Sequence, residues 1–282
     1  MASVFPPKPN ALNELFGVPK PVIGMLHLPP LPGAPRYQGE PLSRIIDAAL
    51  EELERYREGG VDGLIVENQG DLPFAKPQDI GPETVAAMTA VAQMVVRGAG
   101  FPVGINVLSN AAIPALAVAQ AAGARFIRVS QWANAYVGNS GLIEAAAPAA
   151  LRYRARIKAE HVRVFSDVHV KHGSHAIVAD RPIREQAQDA AWFDSDVLIA
   201  TGTRTGEATP VEEVGHLRGG HGLPVIVGSG FDLRNCAEIL AAADGAIVGT
   251  SLKRDGLWWN PVETSRVRAL MDAVRAFRSG LK

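Results

Sequence analysis

Pro224-Val-Ile-Val-Gly-Ser-Gly230 predicts a buried strand that ends in small residues, and Asp244-Gly-Ala-Ile-Val-Gly-Thr-Ser-Leu-Lys253 predicts a second one after a short helix. Glycines directly after parallel strands let backbone N–H groups approach an anion closely. In an eight-stranded α/β barrel, the loops after strands seven and eight commonly form a phosphate site. The two stretches therefore predict a phosphate-binding barrel, provided that the rest of the chain supplies six more strands.

Six further β-rich runs precede these two and alternate with segments of helical periodicity. The eight strand candidates are residues 22–28, 63–68, 103–108, 126–130, 162–172, 196–201, 225–230 and 246–251. The rival architecture, a doubly wound open sheet, usually carries a glycine-rich turn after its first strand, whereas His27-Leu-Pro-Pro-Leu-Pro-Gly33 is not one. The sequence therefore predicts the α/β class, as a single-domain (β/α)8 barrel over residues 22–282 with an N-terminal extension over residues 1–21.

Composition excludes several classes of partner. The 282 residues are 47% apolar and 20% charged, with a formal net charge of −1. The sequence contains no run of Lys or Arg, so we do not expect binding to nucleic acid or to an anionic membrane surface. The chain has no apolar run of transmembrane length, and its proline-rich start does not resemble a signal peptide. The single cysteine, Cys236, cannot form an internal disulfide, so we expect a reducing, cytoplasmic compartment. We also expect a homo-oligomer, with Trp258-Trp259 at a subunit contact and residues 10–16 as helical turns under the barrel.

Polar side chains stand where several predicted strands end, which is where α/β barrels carry their working groups. They are His27, Glu67, Asn68, Asn106, and the trio Asp167, His169 and Lys171. The two-residue period of a strand places that trio on one face, so the sequence predicts three titratable groups converging in the barrel mouth. Acid–base catalysis by Glu67, Asp167 and His169 is one interpretation, and a buried ion pair beside a hydrogen-bonded histidine is the other.

The same groups leave further alternatives open. Lys171 either polarises a carbonyl or forms a Schiff base. Glu67, Asp167 and His169 are also possible ligands of a divalent cation, although their wide spacing in sequence gives no metal motif. Asn68 and Asn106 are interpreted as groups that orient substrate, and His27 either contacts substrate or holds the proline-rich loop after it.

Three loops carry the predicted anion site. Residues 201–206, Thr-Gly-Thr-Arg-Thr-Gly, form either a flexible cover with Gly202 and Thr203 on the anion or an ordinary surface turn. The remaining candidates are Gly228, Ser229, Gly230, Gly249 and Thr250, in two short motifs that reinforce each other at adjacent strand ends. The phosphate of a flavin would fit such a site as well, but we do not expect a flavin.

The chain resembles the BtpA/SgcQ family nearly end to end. The resemblance rests on Ile23-Gly-Met-Leu-His-Leu-Pro-Pro-Leu-Pro-Gly33, Val66-Glu-Asn68, Asp167-Val-His-Val-Lys-His172 and Val227-Gly-Ser-Gly230. It implies a phosphate-binding barrel without an established reaction, in a family named for photosystem I biogenesis whose other members sit beside sugar-uptake genes. One departure is Ser109-Asn110-Ala111, where relatives are expected to carry an arginine, an asparagine and an aspartate, so the third loop predicts a different substrate preference.

Two hypotheses of different classes follow. In the first, the protein is an enzyme that acts on a small phosphorylated metabolite, a sugar phosphate or a nucleotide-related compound, by lyase, isomerase or hydrolase chemistry. In the second, it is a non-catalytic biogenesis or stability factor for a membrane complex such as photosystem I.

Overall fold

The structure is a computed structural model that describes residues 8–281. Eight parallel strands close into a barrel in the order β1-β10-β9-β8-β7-β4-β3-β2. They are β1 (Val22–His27), β2 (Gly63–Glu67), β3 (Val103–Asn106), β4 (Phe126–Val129), β7 (Arg163–Asp167), β8 (Val197–Ala200), β9 (Val225–Val227) and β10 (Ala246–Val248). The predicted (β/α)8 barrel is confirmed; residues 1–7 of the predicted extension and residue 282 lie outside the described residues.

Helices cover the outside of the barrel, and a hairpin of two short strands, β5 (Ala135–Gly138) and β6 (Gly141–Glu144), follows β4. The helices are α1 (Ala11–Phe16), α2 (Leu42–Gly59), α3 (Pro82–Ala99), α4 (Ala112–Ala122), α5 (Ala147–Arg156), α6 (Ile183–Trp192), α7 (Val211–Leu217), α8 (Cys236–Ala242) and α9 (Thr264–Ser279). Over residues 8–281, no helix is both long enough and apolar enough to cross a membrane.

The barrel interior is a packed core at its lower end. Side chains of Ile23, Phe126 and Phe165 belong to one buried cluster, and the rings of the two phenylalanines stack with centroids 4.4 Å apart. The short helix α1 joins the same cluster through buried Leu12 and Leu15, so the prediction of helical turns at residues 10–16 is confirmed. Because this end is filled, a ligand has access to the interior only from the carboxyl ends of the strands.

The fifth predicted strand, residues 162–172, is too long. The observed strand, β7, ends at Asp167, and the chain then turns through two non-glycine residues with positive φ, His169 at 55° and His172 at 63°. Left-handed backbone breaks the two-residue alternation of an extended chain. The prediction that Asp167, His169 and Lys171 share one face is therefore wrong.

Candidate active site

A cavity of about 800 Å³ opens at the carboxyl ends of the strands. Its volume lies within the range of small-molecule sites. Loops after β9 and β10 line one side of it, and the β5–β6 hairpin lines another through Tyr136, Gly138, Asn139 and Ser140. Among the predicted site residues, the cavity collects ten: His27, Glu67, Asn106, Asp167, Lys171, Gly228, Ser229, Gly230, Gly249 and Thr250.

Asp167 is bound by Arg128 at the end of β4. The guanidinium donates Nε–H to Oδ1 at 3.0 Å and Nη2–H to Oδ2 at 3.1 Å, and the two side chains are 7% and 1% exposed. Both carboxylate oxygens of Asp167 are engaged in this bidentate ion pair, which neutralises the charge of Arg128. The interpretation of Asp167 as one half of a buried ion pair therefore describes its contacts. Sequence reasoning missed Arg128, although a lone arginine inside the apolar run Phe126-Ile-Arg-Val129 was a usable signal.

Glu67 lies at the end of β2 and is 5% exposed. Within residues 8–281, no Lys or Arg nitrogen lies within 4.0 Å of its carboxyl oxygens, and the ring of His27 lies 3.6 Å away. Asn106 donates Nδ2–H to Oε2 of Glu67 at 2.5 Å. Burial raises the pKa of Glu67, and the positive charges of Arg128 and Lys171 oppose that rise. A carboxyl with a raised pKa exchanges protons closer to neutral pH than a free one, which suits a general acid or base.

His27 faces Glu67 from β1. Its Nε2 lies 3.6 Å from Oε1 of Glu67, and its Nδ1 lies 3.4 Å from the carbonyl oxygen of Trp258. Burial and the positive charge of Lys253 lower the pKa of His27 to about 3, so the ring is neutral at physiological pH. A neutral ring that donates Nδ1–H to the carbonyl turns an unprotonated Nε2 toward Glu67. Trp258 itself lines the cavity, whereas Trp259 is 63% exposed, and the subunit contact predicted for the two stays a prediction.

Lys171 occupies the loop after β7 and extends into the cavity. Its Nζ lies 3.4 Å from Oγ of Ser229, and its backbone N–H is donated to Oγ1 of Thr201 at 2.9 Å. Burial, followed by the positive charge of Arg128, lowers the pKa of Lys171 to about 8. About one amine in ten is then unprotonated at pH 7 and about half at pH 8, and this neutral form is the one that nucleophilic or proton-transfer lysines require.

His169 is not brought together with Asp167 and Lys171 in the main cavity. Its ring stacks on His175 with centroids 3.8 Å apart, and His175 stacks in turn on Tyr136 at 5.5 Å. Both His169 and His175 line a smaller neighbouring cavity of about 450 Å³. Because parallel stacked rings direct their nitrogen lone pairs in separate planes, the pair does not form a shared metal site. Elsewhere in residues 8–281, no three His, Cys, Asp or Glu side chains come together as metal ligands would.

The two glycine-rich loops follow neighbouring strands, as predicted, and line the same cavity. Gly228 donates its N–H to the carbonyl of Ala200 at 2.7 Å and so belongs to the sheet. The next amides differ, since within residues 8–281 no acceptor binds the N–H groups of Ser229, Gly230, Gly249, Thr250 and Ser251. Backbone donors without an acceptor at the wall of a cavity are the groups with which proteins bind oxyanions.

Gly202 and Thr203 do not contribute to this arrangement. The carboxylate of Glu213 accepts the N–H groups of Thr201 and Gly202 at 3.1 and 3.2 Å, so a side chain of the protein occupies the position predicted for an anion. The hydroxyl of Thr203 donates to Glu207 at 2.9 Å, and both Gly202 and Thr203 line the smaller cavity. The placement of these two residues in the main anion site is therefore wrong, and Glu213 is the reason.

Asn68 is fully buried and does not line the cavity. Its Nδ2–H is donated to Asp71 at 2.9 Å, and its Oδ1 accepts the N–H of Leu108 at 2.7 Å. Asp71 also accepts the N–H of Leu31 at 2.8 Å. Asn68 therefore holds the first three loops of the barrel together rather than orienting a ligand directly, and it shapes the site through those loops.

Comparisons with known proteins agree with the fold and the resemblance. The BtpA family profile matches residues 18–276. An uncharacterized protein of Pyrococcus horikoshii is 38% identical over 93% of this chain and 98% of its own. The photosystem I biogenesis protein BtpA of Synechocystis is 38% identical over 93% of this chain and 91% of its own. Among solved structures, N-(5'-phosphoribosyl)anthranilate isomerase of Pyrococcus furiosus superposes with a TM-score of 0.55 at 14% identity, covering 91% of this chain and 99% of that one.

Proposed function

The chain belongs to the BtpA family, and we propose that it is an enzyme that binds a small phosphorylated metabolite, a sugar phosphate or a nucleotide-related compound, in its main cavity. The proposed chemistry is proton transfer or lysine-assisted lyase, isomerase or hydrolase chemistry. One observation carries this proposal. Within residues 8–281, five residues whose backbone N–H groups have no acceptor line the same cavity as Glu67 and Lys171.

The anion end of the site is supported by the loops after β9 and β10. A phosphate carries three oxygens that accept hydrogen bonds, and backbone donors there bind it without the entropy cost of ordering long side chains. The hydroxyl of Thr250 adds a donor at the same wall, whereas the hydroxyl of Ser229 already donates to the carbonyl of Arg204 at 3.1 Å. By its name, the isomerase with the similar fold acts on a phosphorylated compound, which is compatible with this use of the barrel mouth.

The reactive end of the site is assigned by elimination among the titratable groups. Of the four predicted catalytic residues, Asp167 is bound by Arg128 and His169 lies in the smaller cavity, so Glu67 and Lys171 are the two that we assign to proton exchange with a ligand. In this proposal, Asn106 orients the carboxyl of Glu67, the unprotonated Nε2 of His27 faces that carboxyl in its protonated form, and Lys171 polarises or attacks a carbonyl. This scheme replaces Asp167 and His169 as the acid–base pair.

Binding of phosphate is the first property to test, by thermal shift with inorganic phosphate and a panel of phosphorylated sugars and nucleotides. A ligand at 100 times its dissociation constant stabilises the folded state by about 2.7 kcal/mol. The corresponding unphosphorylated sugars and nucleosides serve as controls and are expected to give no shift. Absence of any shift across the phosphorylated panel would contradict the proposal.

A matched pair of variants at Thr250 tests whether the thermal shift comes from binding at the loops after β9 and β10. Thr250 is half-buried at the cavity wall, and its side chain has no hydrogen-bond partner within residues 8–281. Thr250→Asp places a carboxylate beside the proposed phosphate and is expected to abolish the shift through repulsion. Thr250→Asn has nearly the same shape without the charge and is expected to retain it. Equal binding by both variants would place the anion elsewhere.

The second candidate is a non-catalytic assembly factor for a membrane complex, and the name of the Synechocystis relative favours it. A scaffold uses its outer surface and has no need of an unprotonated lysine in a cavity. Complementation of a strain that lacks the gene separates the candidates. An enzyme fails to complement with Lys171→Met, whereas a scaffold complements with that variant as well as with the unaltered chain.

A further inference from the structure

Lys171 is half-buried at the cavity wall and differs in its partners from the lysine of an ion pair. Within the described part of the chain, no carboxylate oxygen lies within 4.0 Å of its Nζ, and its one polar contact is the Ser229 hydroxyl at 3.4 Å. Lys253 provides the contrast inside the same barrel, because it is 1% exposed and its Nζ lies 2.6 Å from Glu52. Buried lysines usually obtain such a carboxylate. Lys171 has its amine in the cavity without one.

The backbone around Lys171 is held firmly, so the amine has a defined position. Its own N–H binds Thr201, and the N–H groups on either side of this turn, those of Val168 and His172, are donated to the carbonyls of Ile199 and Thr203 at 3.1 and 3.2 Å. The loop therefore continues the pairing of β7 with β8 beyond the end of the strand. A side chain on such a support is placed with the precision that covalent catalysis needs.

The electrostatic surroundings keep part of this amine neutral. Burial and the neighbouring Arg128 guanidinium both disfavour the ammonium form and lower the pKa of Lys171 to about 8. The carboxylates of Asp167 and Glu67 act in the opposite direction, as the two smaller effects, and Asp167 is bound on both oxygens by Arg128. An unprotonated amine has the free electron pair that a nucleophile needs.

We propose that Lys171 is a covalent catalytic residue that forms an imine with the carbonyl carbon of a phosphorylated aldehyde or ketone. The proposal rests on the proposed function, since it places this carbonyl compound in the same cavity. Ser229 belongs to the anion loop and contacts the amine, so the carbonyl and the phosphate of the substrate are separated by only a few carbons.

The step balances without an oxidant or a reductant. The Nζ electron pair of Lys171 forms a bond to the carbonyl carbon, the C=O π electrons move to oxygen, and one proton passes from nitrogen to that oxygen. The resulting carbinolamine loses its hydroxyl with a second proton as water, which leaves a C=N bond. Glu67, with its raised pKa, is the carboxyl of the cavity that relays these protons. The imine then withdraws electrons from the adjacent carbon, as lyase or isomerase chemistry requires.

Borohydride trapping tests the proposal. The full chain is incubated with dihydroxyacetone phosphate, glyceraldehyde phosphate or ribose phosphate, reduced with sodium borohydride, and measured by intact mass and peptide mapping. Reduction converts the imine to a stable amine, so the expected gain is the mass of the compound minus one oxygen, located on Lys171. Glycerol phosphate, which has no carbonyl, is expected to add nothing. The yield is expected to increase between about pH 7 and pH 9 as the amine loses its proton.

The outcomes separate this proposal from the proposed function. An adduct on Lys171 that is absent in Lys171→Met supports it, provided that the variant retains its fold by circular dichroism and its thermal shift with inorganic phosphate. A thermal shift with the carbonyl phosphates but no adduct overturns the imine and leaves phosphate binding intact. Neither shift nor adduct overturns both. Adducts spread equally over exposed lysines such as Lys158 also overturn the imine, because they report non-specific reaction.

Discussion

Replacement of Lys171 by methionine is expected to stabilise the fold while it removes the reactive amine. Burial and the positive charge of Arg128 lower the pKa of Lys171 from 10.5 to about 8. A tenfold change in an acidity constant corresponds to about 1.4 kcal/mol, so holding the ammonium form costs the folded state about 3 kcal/mol. Methionine fills a similar volume without a charge, and Lys171→Met is expected to recover most of that free energy at pH 7.

The stability gained by Lys171→Met is expected to decrease as the pH rises. The pKa of Lys171 is lower in the folded than in the unfolded state. The free-energy cost of the ammonium group is therefore present in full below about pH 8, where the lysine is protonated in both states. It decreases as the pH rises toward 10.5 and is below about 1 kcal/mol at pH 10. Above the ordinary lysine pKa, neither state is charged, and the advantage of methionine disappears.

Urea denaturation of the unaltered protein and Lys171→Met at pH 7 and pH 10 measures this effect. Lys158→Met, at an exposed lysine, is the matched control and is expected to change the free energy of unfolding by less than about 0.5 kcal/mol at either pH. If Lys171→Met gains no stability at pH 7, or gains the same amount at pH 7 and pH 10, the folded state does not disfavour the charged form of the amine. The argument for the reactivity of Lys171 is then refuted.

Three other substitutions test the rest of the site by the same denaturation assay. Asp167→Asn leaves the Arg128 charge buried and unpaired and is expected to cost about 3–5 kcal/mol, so a preserved midpoint would contradict the ion pair. Gly230→Ala is expected to cost about 2 kcal/mol or more, because φ is 67° there and a Cβ would overlap the backbone of Glu207; an unchanged midpoint would mean that this loop relaxes. Glu67→Gln is expected to retain or raise the midpoint at pH 7, because burial raises the pKa of this carboxyl and makes its charged form costly. Any gain is expected to vanish as the pH falls below 4.5, where the carboxyl is protonated in the folded and the unfolded state. A gain that persists there would show that the charge of Glu67 is not what destabilises the fold.

Local sequence determined the barrel and its ligand end. The apolar runs predict all eight strands, and each observed strand of the barrel lies within its predicted range. The observed strands end one to five residues earlier than predicted, and the difference is largest for β7. The neighbouring positions of the loops at Gly228 and Gly249 followed from the order of strands alone, because consecutive strands of such a barrel pair with each other. Glu67 and Asn106 were found because each is the last residue of its strand, whereas Lys171 lies four residues beyond the end of β7 and was predicted from a strand that is too long.

Only the tertiary structure decided which of these groups remain available to a ligand. Arg128 takes both oxygens of Asp167 from 39 residues away, and Glu213 fills the amides of Thr201 and Gly202. Positive φ at His169 sends its ring to the stack in the smaller cavity. Spacing along a chain predicts where a side chain is attached, but its partner is chosen by distances across the closed barrel and by the backbone conformation of loops, and neither is written in local periodicity.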